Sequence, residues 1–291
     1  MDYLIRGNPI RLTELVSHLN TSKYGYTAVL DHTESNRKYF SQVIHPPEKR
    51  SAYFTFLTPD HFTNPNSMLA LVDYLSYQAG ELGAQNVLAE VEESHPLFET
   101  FRRAGFSVFS WESVWRLPQN PPDEDSATKW HFPTVTDGNT VRSFYQTLVP
   151  PLVQNAEPFV NGAAQRLLYK TDGETQAYVE IVKGHSGTYL IPLIHPSVED
   201  VHALIRDLIS HFNGTKKPVY MQVRSYQAWL SEALGDLRAE PSPRFALMVK
   251  HLAVAQWKAV RETGISLSEK SPATPLVTNC ADQGLTSDGL K

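Results

Sequence analysis

Residues 67–117, SMLALVDYLSYQAGELGAQNVLAEVEESHPLFETFRRAGFSVFSWESVWRL, decide how the rest of the chain is laid out. Met68, Leu69, Leu71, Val72, Leu75 and Ala79 recur at helical spacing, with Ser67 placed to cap the helix and Gly83 just past its end. Residues 86–91 (NVLAEV) read as a short strand. Pro96 opens a second helix that turns Leu97, Phe98 and Phe101 toward a core, and Gly105 ends it. Residues 106–117 then form a long strand. A strand, a helix and a strand in succession predict a right-handed crossover between parallel neighbours.

Working outward, residues 10–19 (IRLTELVSHL) place five apolar side chains near one helical face. Residues 24–31, 37–44 and 51–57 read as three strands, rich in aromatic and β-preferring residues and separated by polar or proline-containing turns. Residues 118–129 (PQNPPDEDSATK) are proline- and acid-rich, with Ala127 as the only apolar residue, and mark a boundary. Beyond it the same order returns. Residues 140–149 form a helix and residues 151 onward a shorter one; 164–171, 175–183 and 187–194 are strands. Residues 198–212 are an amphipathic helix, 218–223 a strand, 226–234 a helix stopped at Gly235, and 244–254 a closing strand. The reading is therefore an α/β chain with mixed (α+β) sheet, a tandem repeat of one fold. The first repeat spans 1–117, the linker 118–129 and the second repeat 130–256. Residues 256–264 extend as a helix or fray, and 265–291 form a Ser/Thr/Gly-rich disordered tail.

Composition narrows the function classes. The 291 residues carry a net charge of −5, which gives no general attraction to nucleic acid or anionic lipid. No run approaches the roughly 18–20 apolar residues that span a bilayer. Cys280 is the only cysteine, so no internal disulfide or thiolate cluster can form, and the expected compartment is the cytosol. His202 and His211 stand too far apart for a helical metal pair, and no metal site is expected.

The run Ala79-Gly80-Glu81-Leu82-Gly83, the strand after it and the ending FRRAGF at Phe101–Phe106 resemble the second half of a domain of the GNAT superfamily of N-acyltransferases. The resemblance covers roughly residues 51–117 and, more faintly, 187–254. It implies two tandem GNAT-like acyl-CoA N-acyltransferase domains, acetyl-CoA or another acyl-CoA as cofactor, and an amine acceptor. In that family a glycine-containing loop opens the long helix and lets backbone N–H groups reach the coenzyme A pyrophosphate. The matching residues here are 63–68 (TNPNSM) and 194–199 (IHPSVE), without glycine and each with a proline, so both loops read as degenerate. The family's acid, a tyrosine four residues before the glycine of the Gly-Phe pair, is matched by Phe101 and by Ser231. Phenylalanine donates no proton.

The remaining chemistry centres on the second half. His195, between a strand and a helix N-terminus, could serve as a base, as could Glu180 on the preceding strand. Coenzyme contacts would fall to Leu193, Ser197 and Val198, or to Asn66 and Ser67 in the first half. The bland readings stay open: histidines before proline (His45, His95 and His195) commonly end strands, and alternation makes Glu180 a solvent-facing residue. Trp111, Trp115 and Trp130 read as packed between elements rather than as interface anchors. Two functions remain: an acyl-CoA-dependent transferase with its site in the second half, or a catalytically silent binding or scaffolding protein of the same fold.

Overall fold

The computed structural model describes residues 24–32, 37–47, 49–58, 65–118, 129–134, 137–159, 165–171, 173–212 and 214–252. The described residues belong to one compact unit. The helix expected at 10–19, the extension at 256–264, the tail at 265–291 and the linker apart from Pro118 and Lys129 lie outside the described residues.

The first half runs β1 (Gly25–His32), β2 (Arg37–Ile44), β3 (Ser51–Thr58), α1 (Pro65–Glu81), β4 (Asn86–Glu92), α2 (Leu97–Arg103) and β5 (Ser107–Arg116). The second runs β6 (Trp130–His131), α3 (Gly138–Leu148), α4 (Pro151–Ala156), β7 (Gln165–Thr171), β8 (Glu174–Lys183), β9 (Thr188–Ile194), α5 (Val201–Ser210), β10 (Val219–Arg224), a single 3-10 turn (Ser225–Gln227), α6 (Leu230–Asp236), β11 (Glu240–Pro241) and β12 (Phe245–His251). From β1 and from β7 the order of long elements is the same.

Local chemistry sets the element ends. Met68, Leu71, Val72, Leu75 and Ala79 form the buried stripe of α1. The helix begins at Pro65, two residues ahead of the cap expected at Ser67, because a first-turn proline lacks only a donor that would be unpaired anyway. Gly83 and Gly105 adopt φ of +95° and +84°, and the bonds Ala84 N–H to Ala79 O and Phe106 N–H to Phe101 O close the two helix ends. α5 starts at Val201 rather than Val198. The Asp200 carboxylate accepts from Ala203 N–H at 2.8 Å and fixes the later start. The helix expected at 226–234 splits into the 3-10 turn and α6.

Among the described residues twelve strands join one sheet, in the order β1-β2-β3-β4-β12-β5-β10-β9-β8-β7-β6, with β11 pairing β5 at Trp115 and Arg116 on the edge that β12 takes up farther along. The crossover from β4 through α2 to β5 does join parallel strands, but they are not neighbours. β12, the last strand of the second half, lies between them, antiparallel to both. Reciprocally, β5 of the first half lies between β10 and β12 of the second. Each half's final strand fills the gap in the other. Among the described residues the parallel neighbours are β3–β4 and β9–β10, and each pair stays registered for three residues: Ser51 to Tyr53 with Asn86 to Leu88, and Thr188 to Leu190 with Val219 to Met221. Beyond those residues both pairs part, leaving a split at the same place in each half.

One core packs α1 and α2 against the first-half strands and β12; another packs α5 and α6 against the second-half strands. A third lies under α3 and α4 and draws on both halves, joining Leu88 and Phe109 of the first to Leu168, Tyr178, Leu193, Leu247 and Val249 of the second. Trp130 is buried in the second core, and its indole N–H donates to Leu204 O at 3.3 Å. Trp111 packs on Phe98 and under the Arg244 guanidinium.

Phe101 is 3% exposed and meets Phe54 and Phe106 edge to face, with ring centroids 5.2 and 5.0 Å away. Its ring is a core group. Phe101→Ala is expected to cost about 3–5 kcal/mol in denaturant unfolding. Phe101→Tyr buries a hydroxyl among these rings, costs about 1–3 kcal/mol, and produces no transferase activity.

Candidate functional site

The sheet places the site where β9 and β10 part. Residues 190–194 of β9 are buried except for half-buried Ile191. Gln227, in the 3-10 turn directly after β10, is 3% exposed and points its carboxamide across the split. Its Nε2 donates to Pro192 O at 3.0 Å, and its Oε1 accepts from Ile194 N–H at 2.8 Å. These are backbone groups on the edge of β9 that turns away from β8. A buried edge of this kind must find partners, and one side chain supplies both.

Beside the split, on the face covered by α3 and α4, lies a buried ionic cluster. Register sets Glu112 of β5 opposite Arg224 of β10. Arg224 Nε lies 3.1 Å from Glu112 Oε2, and its Nη2 lies 3.0 Å from Glu157 Oε2 at the end of α4. Gln222 Nε2 donates to Glu112 at 2.5 Å, and the Tyr145 hydroxyl of α3 donates to Glu157 O at 2.6 Å. Arg224 Nη1 is buried with no hydrogen-bond partner among the described residues. Burial pushes the Glu112 carboxyl up to about 7; Arg224 opposes the shift, while Glu90 and Glu157 add to it. Burial works against the Arg224 charge, but Glu157 and Glu112 overcome it and hold its pKa above the ordinary arginine value. Burial raises Tyr145 to about 12 and lifts Tyr226 and Tyr178 as well. The cluster therefore joins β5 of one half to β10 and α4 of the other, with one carboxyl that changes protonation near neutrality.

The sign of the linkage follows. Glu112 takes up its proton more readily folded, at about 7, than at the ordinary 4.5. Its contribution to stability is whole below about 4.5 and is lost as pH rises toward 7. The groups facing it are Arg224 and Gln222 on β10, Glu157 just after α4, Glu90 on β4 and Tyr226 after β10. Glu112→Gln keeps an acceptor and removes the titration. The difference in melting temperature, variant minus wild type, is expected to move in the variant's favour between pH 5 and pH 8, and a difference constant with pH contradicts the assignment.

The residues singled out from sequence are distributed as follows. His195 is half-buried at the end of β9, its ring 6.1 Å from Phe144 of α3. Its Nδ1 accepts from Ser197 N–H at 3.2 Å and lies 2.5 Å from Ser197 Oγ, which puts the ring proton on Nε2. To act as a base at Nδ1 the ring must release Ser197. Glu180 pairs with Arg166 at 3.6 Å on β8, two strands from β10. Leu193 is buried under α3 and α4, Val198 is half-buried against the second core, and Ser197 is exposed. The first turn of α5 already receives the Asp200 carboxylate, which occupies the place an anion would take. In the first half, Asn66 Oδ1 accepts from Arg103 Nη2 at 3.2 Å within the first turn of α1. Ser67 is half-buried in the same turn, and residues 63–64 of that loop lie outside the described residues. Among the described residues no group of His, Cys, Asp and Glu could hold a metal ion, and no helix is long and apolar enough to cross a membrane.

Sequence reasoning passed over Glu112, Arg224, Glu157 and Gln227. A signal was present for two of them. Gln222 and Arg224 alternate with Met221 and Val223, and Glu112 interrupts an otherwise apolar and small row. In a strand buried on both faces such polar residues must pair.

No protein-family model and no curated protein matches the chain. Among solved structures, it is similar to a GCN5-related N-acetyltransferase from Sphaerobacter thermophilus, with TM-score 0.53 and 11% identity over 84% of this chain and 86% of that one. A GCN5-related N-acetyltransferase from Kribbella flavida gives 0.52 and 11%, covering 86% and 98%. A functionally unknown conserved protein from Staphylococcus epidermidis gives 0.53 and 9%, covering 73% and 91%.

Proposed function

From a chain with the fold of the GCN5-related N-acetyltransferases, we propose a catalytically silent protein that serves as a binding or scaffolding module. The observation carrying this reading is Gln227, whose carboxamide fills the β9–β10 split with both of its hydrogen bonds made. Asp200 supports it by capping α5, so a pyrophosphate arriving there would meet a carboxylate. Phe101, buried among aromatic rings, supports it in the first half. Acyl-CoA does not fit the second half as it stands, with Gln227 across the split and Asp200 at the start of α5.

One observation favours the second reading, an acyl-CoA-dependent N-acyltransferase acting on an amine in the second half. Glu112, whose carboxyl burial pushes up beside the split, would be the candidate general base once Arg224 and Gln222 release it. His195 and Glu180 would then be further candidates for proton transfer, with Leu193, Ser197 and Val198 nearest the coenzyme. Asn66 and Ser67 are the corresponding candidates in the first half.

The deciding measurement is the melting temperature of the full chain with coenzyme A, acetyl-CoA and longer acyl-CoAs at millimolar concentration. A ligand at about 100 times its Kd adds about 2.7 kcal/mol of stability. The silent reading expects no shift with any of them. A saturable shift, followed by acyl transfer to an amine, replaces it with the second reading.

A further inference from the structure

The sheet ends in two edges of different character. β6, at one end, is two residues long and offers little for a further strand to pair with. β1, at the other, runs for eight residues and pairs with β2 without a register shift. Residues 25–30 (GYTAVL) hold no charge and no proline, so this edge lacks the residues that commonly blunt an exposed strand. Among the described residues no strand pairs with its outer side. The Tyr24 carbonyl accepts from His45 N–H at 2.6 Å. Alternation then turns the main-chain groups of Tyr26, Ala28 and Leu30 toward β2 and those of Gly25, Thr27, Val29 and Asp31 outward.

Apolar surface gathers on both faces of this edge. Among the described residues eight large apolar or aromatic side chains are exposed, and five of them (Tyr24, Val29, Phe40, Tyr74 and Tyr77) stand at the start of β1, on β1, on β2 or on α1. Tyr26 and Leu30 pack in the core beneath α1, so Val29 faces the other way, opposite Phe40 of β2. On the α1 side the hydroxyls of Tyr26 and Tyr74 meet at 2.8 Å, with ring centroids 5.9 Å apart.

An added peptide strand would take up the main-chain groups of β1 but lie below the helix layer, leaving Tyr74 and Tyr77 bare. A second copy covers both layers. α1 lies over β1 and β2. With strands about 4.8 Å apart, a copy related by a two-fold axis beside β1 sets its own α1 about 10 Å away, the spacing at which helices pack. An axis at Ala28 pairs all four outward residues at once, Gly25 with Asp31 and Thr27 with Val29 of the other copy, and residues 25–30 bring no like charges together. At about 200 Å² for a whole side chain of this size, the exposed parts of the five come to roughly 1,000 Å² over two copies before the strand main chains are added. Stable interfaces bury about 1,200–2,000 Å² in total.

We propose that the chain forms a two-fold dimer in which the β1 strands of two copies pair antiparallel about Ala28, joining two sheets into one, with the α1 helices side by side above the joint. This dimer goes beyond the reading above and does not depend on it, since a melting shift with acyl-CoA leaves it standing.

Sedimentation velocity and light scattering on the full chain at micromolar concentration should give twice the monomer mass. Val29→Pro removes the outward N–H that donates to Thr27 of the other copy, at a position where an edge strand tolerates proline. The dimer is expected to weaken about 100-fold, tenfold for each of the two bonds lost, with the circular dichroism spectrum unchanged. A wild-type chain that stays monomeric up to its solubility limit overturns the proposal, and so does a dimer that Val29→Pro leaves intact. Should Val29→Pro fail to fold, the decision passes to Val29→Lys combined with Tyr74→Lys, two exposed positions at which like charges from both copies would meet across the joint. Dissociation with the fold retained supports the β1 placement; an intact dimer overturns it.

Discussion

A chain ending at residue 244 is expected to remain unfolded in its first half as well as its second. The truncation removes β12, which the first half needs although it lies more than a hundred residues away in sequence. Register joins Phe245 to His251 with all of β4, and Phe245 to Val249 with β5, so both flanking strands lose their ladders. Ala246, Leu247, Met248 and Val249 are buried, and their side chains enter two different cores. Burying one large apolar side chain contributes about 1.5–3 kcal/mol, and a domain's whole stability is about 5–15 kcal/mol. Losing several such residues together with two ladders removes the margin. Circular dichroism and amide dispersion should report no folded fraction for residues 1–244 or for residues 1–118. Co-expressing 1–118 with 119–291 should restore a soluble complex, since the missing strand then returns in trans. A folded 1–118 fragment with native amide dispersion would contradict the reciprocal placement of β5 and β12.

Arg224→Ala is expected to cost about 3–5 kcal/mol, measured by denaturant unfolding near pH 8. Its guanidinium lies between Glu112 and Glu157, and removing it leaves two carboxylates facing each other in a buried site. The cost should shrink toward pH 5. Burial already raises Glu112, and without the arginine it takes up a proton at still higher pH and sheds its charge. Arg224→Lys should fall between, because one ammonium cannot reach both carboxylates with the fork geometry of a guanidinium. Combining Arg224→Ala with Glu112→Gln should recover part of the loss, with a coupling of about 0.5–3 kcal/mol. Strict additivity would mean that the two side chains do not interact.

How much of this was legible in the sequence varied with the range of the interaction. The helix of residues 67–81, the turns at Gly83 and Gly105 and the repeated order of elements all rest on contacts within a few residues, and periodicity reveals those. The position of β12 does not. FALMVKH reads as a strand buried on both faces, but nothing in it specifies β4 and β5 as partners over β10. The same limit applied to the site. His195 drew attention by standing before a proline, yet its Nδ1 is engaged by Ser197. Gln227 looked like an ordinary helix residue, because its role depends on the parting of two strands that no local pattern announces. Glu112 and Arg224 lie 112 residues apart and become a pair only through the antiparallel register of β5 with β10.

The exchanged strands also govern the order of events during synthesis. β5 is complete at Arg116, and its partner β12 begins only at Phe245. At about 5–20 residues per second, the ribosome takes roughly ten seconds to make the intervening chain. Through that interval β4 and β5 present open edges with apolar faces, the condition that invites association between nascent chains. Few local contacts can close the sheet early, so a folding rate set by distant pairings is expected. β12 is thus the step that completes both halves together, and a cell making this protein needs residues 245–251 before β4 and β5 can settle.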